Sequence, residues 1–392
     1  MAVIGLSSEN STTVSLPLGT SNHGNPDLIC FPASWMDIVT FFLGNYVAHV
    51  VTTVTPPGLS QGLFFQSLIY TLVFPGIGVA RGVQAILSFA IFADSDLDKA
   101  ARAGALCRVV RKDQWARSEL ETRLVDDYKP SFIAKFRKSS IFGRYHLPPG
   151  YAFALVPRNA RFERDGSFYP MNLSSQRNVI KICVSIAQLT FATFTLYNSR
   201  GDQVKEFGYA AFGLTATMYA VMSLLNLFGN VMCPQYSSVF MVSTSVMDEA
   251  VQNQGFFDMI VARLDDKNLD NYRDTRERSW ANRIELRDLL WLPISFAPTA
   301  LSLVVIWWMS GFKPGDSTFT QQFFTMSWLA IGSLVGIRST RWEEKPREEV
   351  TAANRLGWLC AQIGILLVLG SFVGYAFYVV ALEIIQFGIC KS

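Results

Sequence analysis

The stretch Val179 to Tyr197, VIKICVSIAQLTFATFTLY, is followed after ten mostly polar residues by Gly208 to Met232, GYAAFGLTATMYAVMSLLNLFGNVM. Each is close to the roughly 20 residues a helix needs to cross bilayer hydrocarbon. Lys181 is the only charged residue in the pair. Working outward, five more apolar runs appear: Phe31 to Val54, Gly62 to about Ala93, Leu289 to Trp308, Phe323 to Ile337, and Leu356 to about Val380. The spacing predicts an all-α membrane protein, a bundle of about seven transmembrane helices with a mixed, mainly helical cytosolic loop region. Half of the 392 residues are apolar and the mean hydropathy is +0.24. Both values argue against a soluble enzyme and for lipid as the main surroundings.

The pattern divides the chain into a flexible polar tail (1–30), the first two spans (31–93) and a basic loop domain (94–177). The third and fourth spans (178–246), a charged helical insert (247–288) and the last three spans (289–392) follow. The second apolar run is too long for one straight helix, and Phe74-Pro75-Gly76 predicts a break or kink there. Asp98 is expected to cap a helix running through Arg111. Tyr151 to Val156, and Ala160 to Tyr169 with Asp165-Gly166 as a turn, predict a small β element. Lys129 to Arg144 interleaves aromatic and aliphatic residues with Lys and Arg, as a helix lying on anionic lipid headgroups would. Small residues four apart, Gly332 with Gly336 and Gly370 with Gly374, suggest close helix contacts in the last two spans.

The net charge is only +3, so the position of the charges matters more than their sum, and nucleic acid is not an expected partner. Residues 94–177 carry sixteen basic against ten acidic residues. That loop, 247–288 and 338–355 are therefore assigned to the cytosol by the positive-inside rule. Seven crossings then put the N-terminus in the cytosol and the C-terminus outside. Asn10-Ser11-Thr12, a glycosylation sequon, points the other way. A re-entrant hairpin at 62–93 would likewise move the N-terminus outside.

No HExxH, GxSxG or GxxxxGK[ST] is present, and the three histidines, His23, His49 and His146, are too few for a multi-histidine iron site. No cofactor is expected. The six cysteines, Cys30, Cys107, Cys183, Cys233, Cys360 and Cys390, form no CxxC pair and are read as ordinary buried or interfacial thiols.

In the first span Asp37, Asn45, His49 and Thr52 or Thr53 fall near one helical face. Polar groups at membrane depth face a bundle interior or a wet cavity. Arg81, Lys181, Gln188, Asn226, Asn230 and Glu383 are their potential partners. One reading gathers Asp37, His49, Arg81 and Lys181 into an intramembrane polar pocket. The other leaves Asp37, Lys181 and Glu383 at the interfaces and makes Asn45 and His49 interhelical hydrogen-bond glue. The segment Asn226 to Tyr236 ends a helix in polar groups and Pro234, which serves either a ligand or a cap. Asp266, Asp270 and Asp274 share a helical face, an arrangement suited to Mg²⁺ on a diphosphate. The intervening Lys267, Arg273, Arg276 and Arg278 are i, i+4 partners that favour a solvated, ion-paired helix over a metal site.

Several segments are similar to a family of fungal multi-pass membrane proteins over roughly residues 40 to 250. They are Gly44-Asn45-Tyr46 with Ala48-His49, Phe74-Pro75-Gly76 with Arg81-Gly82, Ala100 to Cys107, Leu147 to Tyr151, Thr195 to Tyr197 with Arg200 to Gln203, Gly208 to Thr215, and Asn226 to Tyr236. The resemblance implies an integral membrane protein, some members of the family lying among secondary-metabolite genes, and brings no established activity. Three functions remain open: an accessory or scaffold protein, a transporter using the polar pocket, and a membrane-embedded enzyme acting on a lipid or isoprenoid.

Overall fold

The computed structural model describes residues 16–59, 61–111, 141–158, 160–163, 173, 175–176, 178–265, 286–342 and 352–391. Among these, four stretches are long and apolar enough to cross a membrane: Pro75–Phe92, Val179–Ser199, Phe212–Met232 and Leu367–Phe387. Trp35–Val51 and Thr299–Ser310 are apolar but shorter. The chain is accordingly a mainly helical membrane protein, with a sheet that the all-α expectation omits.

The helices are α1 (Trp35–Val51), α2 (Gln61–Val73), α3 (Pro75–Ile86), α4 (Asp96–Arg102), α5 (Val179–Ser199), α6 (Asp202–Phe207), α7 (Ala216–Met232), α8 (Ser245–Gln252), α9 (Leu286–Ser310), α10 (Phe319–Trp342) and α11 (Ala352–Phe387). Ser34 and Asp37 start α1 with a reciprocal capping box, which satisfies two otherwise orphaned N–H groups. Residues Leu43–Val47 of α1 form a π-helical turn. Helix α7 is central, with 72% of its apolar window buried, whereas α5 is peripheral at 17%. Ile180, Ile186, Phe194 and Tyr197 on α5 are exposed, an apolar face suited to lipid and not to water.

Helices α2 and α3 form a hairpin. Arg81 of α3 donates to Ser67 of α2, and Pro75 at the apex starts α3 at its first position, where no N–H is needed. Helix α3 runs alongside α7 in the same direction. A Cβ on Gly78 would meet Met222 at 2.3 Å, one on Gly82 would meet the Leu225 backbone at 3.0 Å, and Gly229 approaches Ala85. The close glycine contact therefore belongs to Gly78 and Gly82. Gly332 approaches only Pro75, and nothing lies near Gly370 or Gly374. At the apex the Val73 carbonyl accepts from Trp328 Nε1 at 3.4 Å and the Leu72 carbonyl from Tyr219 at 2.5 Å. Trp328 lies roughly 14 Å along α10 at 1.5 Å per residue. The hairpin thus turns near mid-bundle and returns to the end it came from.

That end carries the sheet. Strands β2 (Leu106–Arg111), β3 (Tyr151–Leu155), β4 (Phe240–Ser243) and β5 (Ile260–Arg263) lie in the order β3-β2-β4-β5, with β2 antiparallel to β3 and parallel to β4. Helix α8 makes the crossover between the parallel strands β4 and β5. Alternate residues feed two small cores, Leu106, Phe240 and Val242 on one face and Cys107, Val109 and Met241 on the other, as the two-residue strand period requires. The helix expected from Asp98 to Arg111 stops at Arg102: Ser95 is its N-cap, and Gly104 with φ +74° turns the chain into β2. Ile141 to Arg144, the end of the proposed headgroup-binding helix, is not helical: Ile141 bridges Val239 and the chain bends at Phe142 and Gly143. Its remainder, Lys129 to Ser140, lies outside the described residues, as do Asp165-Gly166 and Asn10.

At the opposite end β1 (Ile29–Phe31) pairs antiparallel with β6 (Ile389–Lys391), and Cys30 is disulfide-bonded to Cys390. This corrects the reading of these two cysteines as thiols. It also brings Ile29–Phe31 and Ile389–Lys391 together at one end of the bundle.

Candidate functional site

The polar residues of α1 occupy two levels. At the sheet end the helix stops at Thr52, and the groups left without intrahelical partners are held by side chains from α5 and α7. Asn226 accepts from Val54 N–H at 2.8 Å and donates to the Gly78 and Met222 carbonyls at 3.1 and 2.8 Å. Asn230 donates to the Thr52 carbonyl at 2.9 Å and accepts from Asn178. Lys181 Nζ reaches the Thr53 carbonyl at 3.3 Å, and Gln188 donates to the Ala48 carbonyl at 2.5 Å. The Thr52 hydroxyl lies 3.0 Å from the His49 carbonyl and 3.1 Å from Gln188 Oε1, placed to donate to either. This clamp answers the orphaned-carbonyl problem of a helix end inside the protein.

One to two turns deeper the accounting changes. His49 is fully buried; its Nδ1 is 2.6 Å from Ser223 Oγ, and its Nε2 has no partner among the described residues. Asn45 donates to the Phe41 carbonyl at 3.1 Å, yet its Oδ1 is unpartnered, as is Ser185 Oγ on α5. Tyr46, within the π-helical turn, bonds Thr215 and stacks on Tyr219 at 4.7 Å and Phe377 at 5.5 Å. A π turn adds a residue to the helix and re-aims the side chains around it, and such turns concentrate at functional sites. On α11, Glu383 is fully buried and neither carboxyl oxygen has a partner. Most buried polar atoms in proteins are hydrogen-bonded, so the column of orphans on α1, α5 and α11 marks the candidate site; Thr299 on α9 and Thr325 on α10 each leave a further hydroxyl without a partner among the described residues.

Of the residues singled out in the sequence, Asn45 and His49 lie in that column, and Asn226, Asn230 and Lys181 belong to the clamp. Asp37 sits at the far end of α1, exposed, its carboxylate accepting from the Ser34 N–H and hydroxyl at 2.8 and 2.6 Å. Arg81 is occupied within the hairpin by Ser67. Asp266, Asp270 and Asp274 lie outside the described residues. Comparison with protein-family models, curated proteins and solved structures returns no match.

Tyr46, Thr215 and Ser223 were not recognisable in the sequence, since hydroxyl residues are common in apolar helices. The π turn leaves no compositional trace. Glu383 was visible as a lone carboxylate near the end of the last apolar run, where an interfacial position was equally reasonable.

Two groups of charged residues outside the bundle core are ion-paired. On the sheet layer Arg111 and Tyr151 hydrogen-bond Glu249 and hold its carboxyl below the usual range. At the disulfide end His23 Nδ1 lies 2.9 Å from Glu206, its Nε2 lies 2.9 Å from the Phe387 carbonyl, and its ring stacks on Phe387. Partial burial raises the Glu206 carboxyl, opposed by His23 and reinforced by Asp316.

Proposed function

We propose that this chain is a membrane transport protein that passes a small polar solute or ion along the buried column beside α1. The observation that carries the reading is the set of unpartnered polar atoms, Asn45 Oδ1, His49 Nε2, Ser185 Oγ and both Glu383 oxygens, inside an apolar bundle. Two further features support it. Non-helical backbone at membrane depth, such as the α2–α3 apex, is tolerated where it is buried in protein or lines a cavity. Interrupted helices meeting near the midplane are a usual setting for transported ligands.

The topology that fits this reading has six crossings, α1, α5, α7, α9, α10 and α11, with α2–α3 as a re-entrant hairpin. Seven apolar runs then leave both termini on the same side. The basic sheet end is cytosolic by its loop charges, and the disulfide end faces an oxidising compartment, where such bonds persist. The basic segment 129–144 would lie on the cytosolic face, beside anionic headgroups. The setting we favour is the secondary metabolism of a fungus, suggested by the resemblance in residues 40 to 250, with the chain moving a pathway compound. In that setting the chain acts by transport, which replaces a purely scaffolding part.

The test compares metabolites inside and outside cells that carry the gene, lack it, or carry His49→Ala. Transport predicts a compound that accumulates inside and falls outside in both altered strains, with His49→Ala protein still present in the membrane. Identical profiles in all three strains would sink the reading.

A further inference from the structure

The column contains one group able to change charge without a partner already holding it in one state. Glu383 lies on α11 one turn before Phe387, buried among buried neighbours of its own helix, Val380, Ile384 and Phe387, and both of its oxygens are unpartnered among the described residues. Among the described residues nothing pairs with an ionised carboxylate there, and an unpaired buried charge is costly. Intramembrane carboxyl groups facing a bundle interior recur in proton relays.

We propose that Glu383 is a proton-binding site within the bundle, loaded from the disulfide end and coupled to movement along the column. This rests on the transport reading for its purpose but not for its chemistry. The step is simple: the carboxylate takes up one proton to become the carboxylic acid and returns it on release, with no other bond made or broken. A metal ion is disfavoured, because alkali and alkaline-earth cations need several oxygen ligands and the apolar wall supplies none.

The surrounding titratable groups suit this role. On α1, Tyr46 is within electrostatic reach of Glu383, while Asp37 is engaged with Ser34 at the exposed start of the helix. The turn Phe212–Thr215 and the described side chains of α10 contribute no titratable group. Beyond Phe387 lie His23 and Glu206, the His23 ring capping Phe387. A proton arriving from that end meets the His23–Glu206 pair first, then Glu383, then the Tyr46 hydroxyl on Thr215.

Infrared difference spectroscopy of the full chain in liposomes, between about pH 5 and about pH 9, reads the carboxyl directly. Wild type is expected to show a protonated-carboxyl C=O band that changes across this range. The band should be absent in the isosteric Glu383→Gln and present but displaced in Glu383→Asp. No Glu383-dependent band change, in protein shown to be folded, would overturn the proposal. A titrating Glu383 band with an unaltered metabolite profile in the deletion strain would keep the proton site and sink transport; an altered profile without the band would do the reverse.

Discussion

The two levels of α1 hold similar residues under opposite accounting. At the sheet end, Asn226, Asn230, Gln188 and Lys181 leave the carbonyls of Ala48, Thr52 and Thr53 and the N–H of Val54 with partners. One to two turns away along α1, Asn45 and His49 each retain an atom with no partner among the described residues, as does Ser185 between Lys181 and Gln188 on α5, although they are as deeply buried. Where partners are complete, the polar residues are a device for ending a helix inside protein. Where they are incomplete, the protein tolerates a desolvation penalty, which the transport proposal assigns to a passing ligand or proton.

Replacing a clamp residue should therefore affect stability far more than replacing a column residue. Asn226→Leu strands the Val54 N–H and removes the side chain's bonds to the Gly78 and Met222 carbonyls; at about 1–3 kcal/mol for the unsatisfied group and about 1 kcal/mol per lost bond it should lose on the order of 3 kcal/mol. His49→Leu removes a half-partnered imidazole of similar bulk and should change stability by about 1 kcal/mol or less. Thermal unfolding of the two variants in one detergent checks the pair, and equal losses would erase the distinction between clamp and column.

The bundle's other end has a covalent fastening instead of a hydrogen-bonded one. Cys30→Ser should lower stability by about 2–4 kcal/mol, less than the largest clamp effects combined, because the bond chiefly restrains the unfolded chain. Wild type treated with reductant should match the variant. A variant as stable as the oxidised wild type would remove the clasp from the comparison.

The smallest expected effect is a change of mass with no change of stability. If the clasp end faces the secretory lumen, Asn10 is glycosylated and Asn172, whose Leu173-Ser174 completes a second sequon on the sheet side, is not. A glycosidase-sensitive band lost in Asn10→Gln and kept in Asn172→Gln supports that orientation. The converse result would place the sheet layer in the lumen.

Much of this was legible in the chain itself. Apolar run length alone marked out a membrane protein, because covering hydrocarbon needs about 20 residues whatever the tertiary fold. The four- and three-residue spacing of Asn45, His49 and Thr52 placed them on one face, which is buried as expected. Pro75 announced a break. Sequence periodicity did not reveal the small sheet at Leu106–Arg111, because Arg102, Arg108 and Arg111 after the Asp98 cap read as the polar face of a continuing helix.

Tertiary structure decided the questions that depend on residues distant in the chain. Whether a broken apolar run crosses or turns back depends on what its apex meets, here Tyr219 and Trp328, which are more than a hundred residues away. The pairing of Cys30 with Cys390 spans 360 residues, and no local pattern encodes it. The same holds for clamp and column: hydrogen-bond capacity is a property of a residue, but its satisfaction is a property of the neighbours that folding brings. Composition and periodicity therefore determined the solvent this protein lives in and the face its polar residues share. Only the packed bundle determined which of those residues hold it together and which are left able to act.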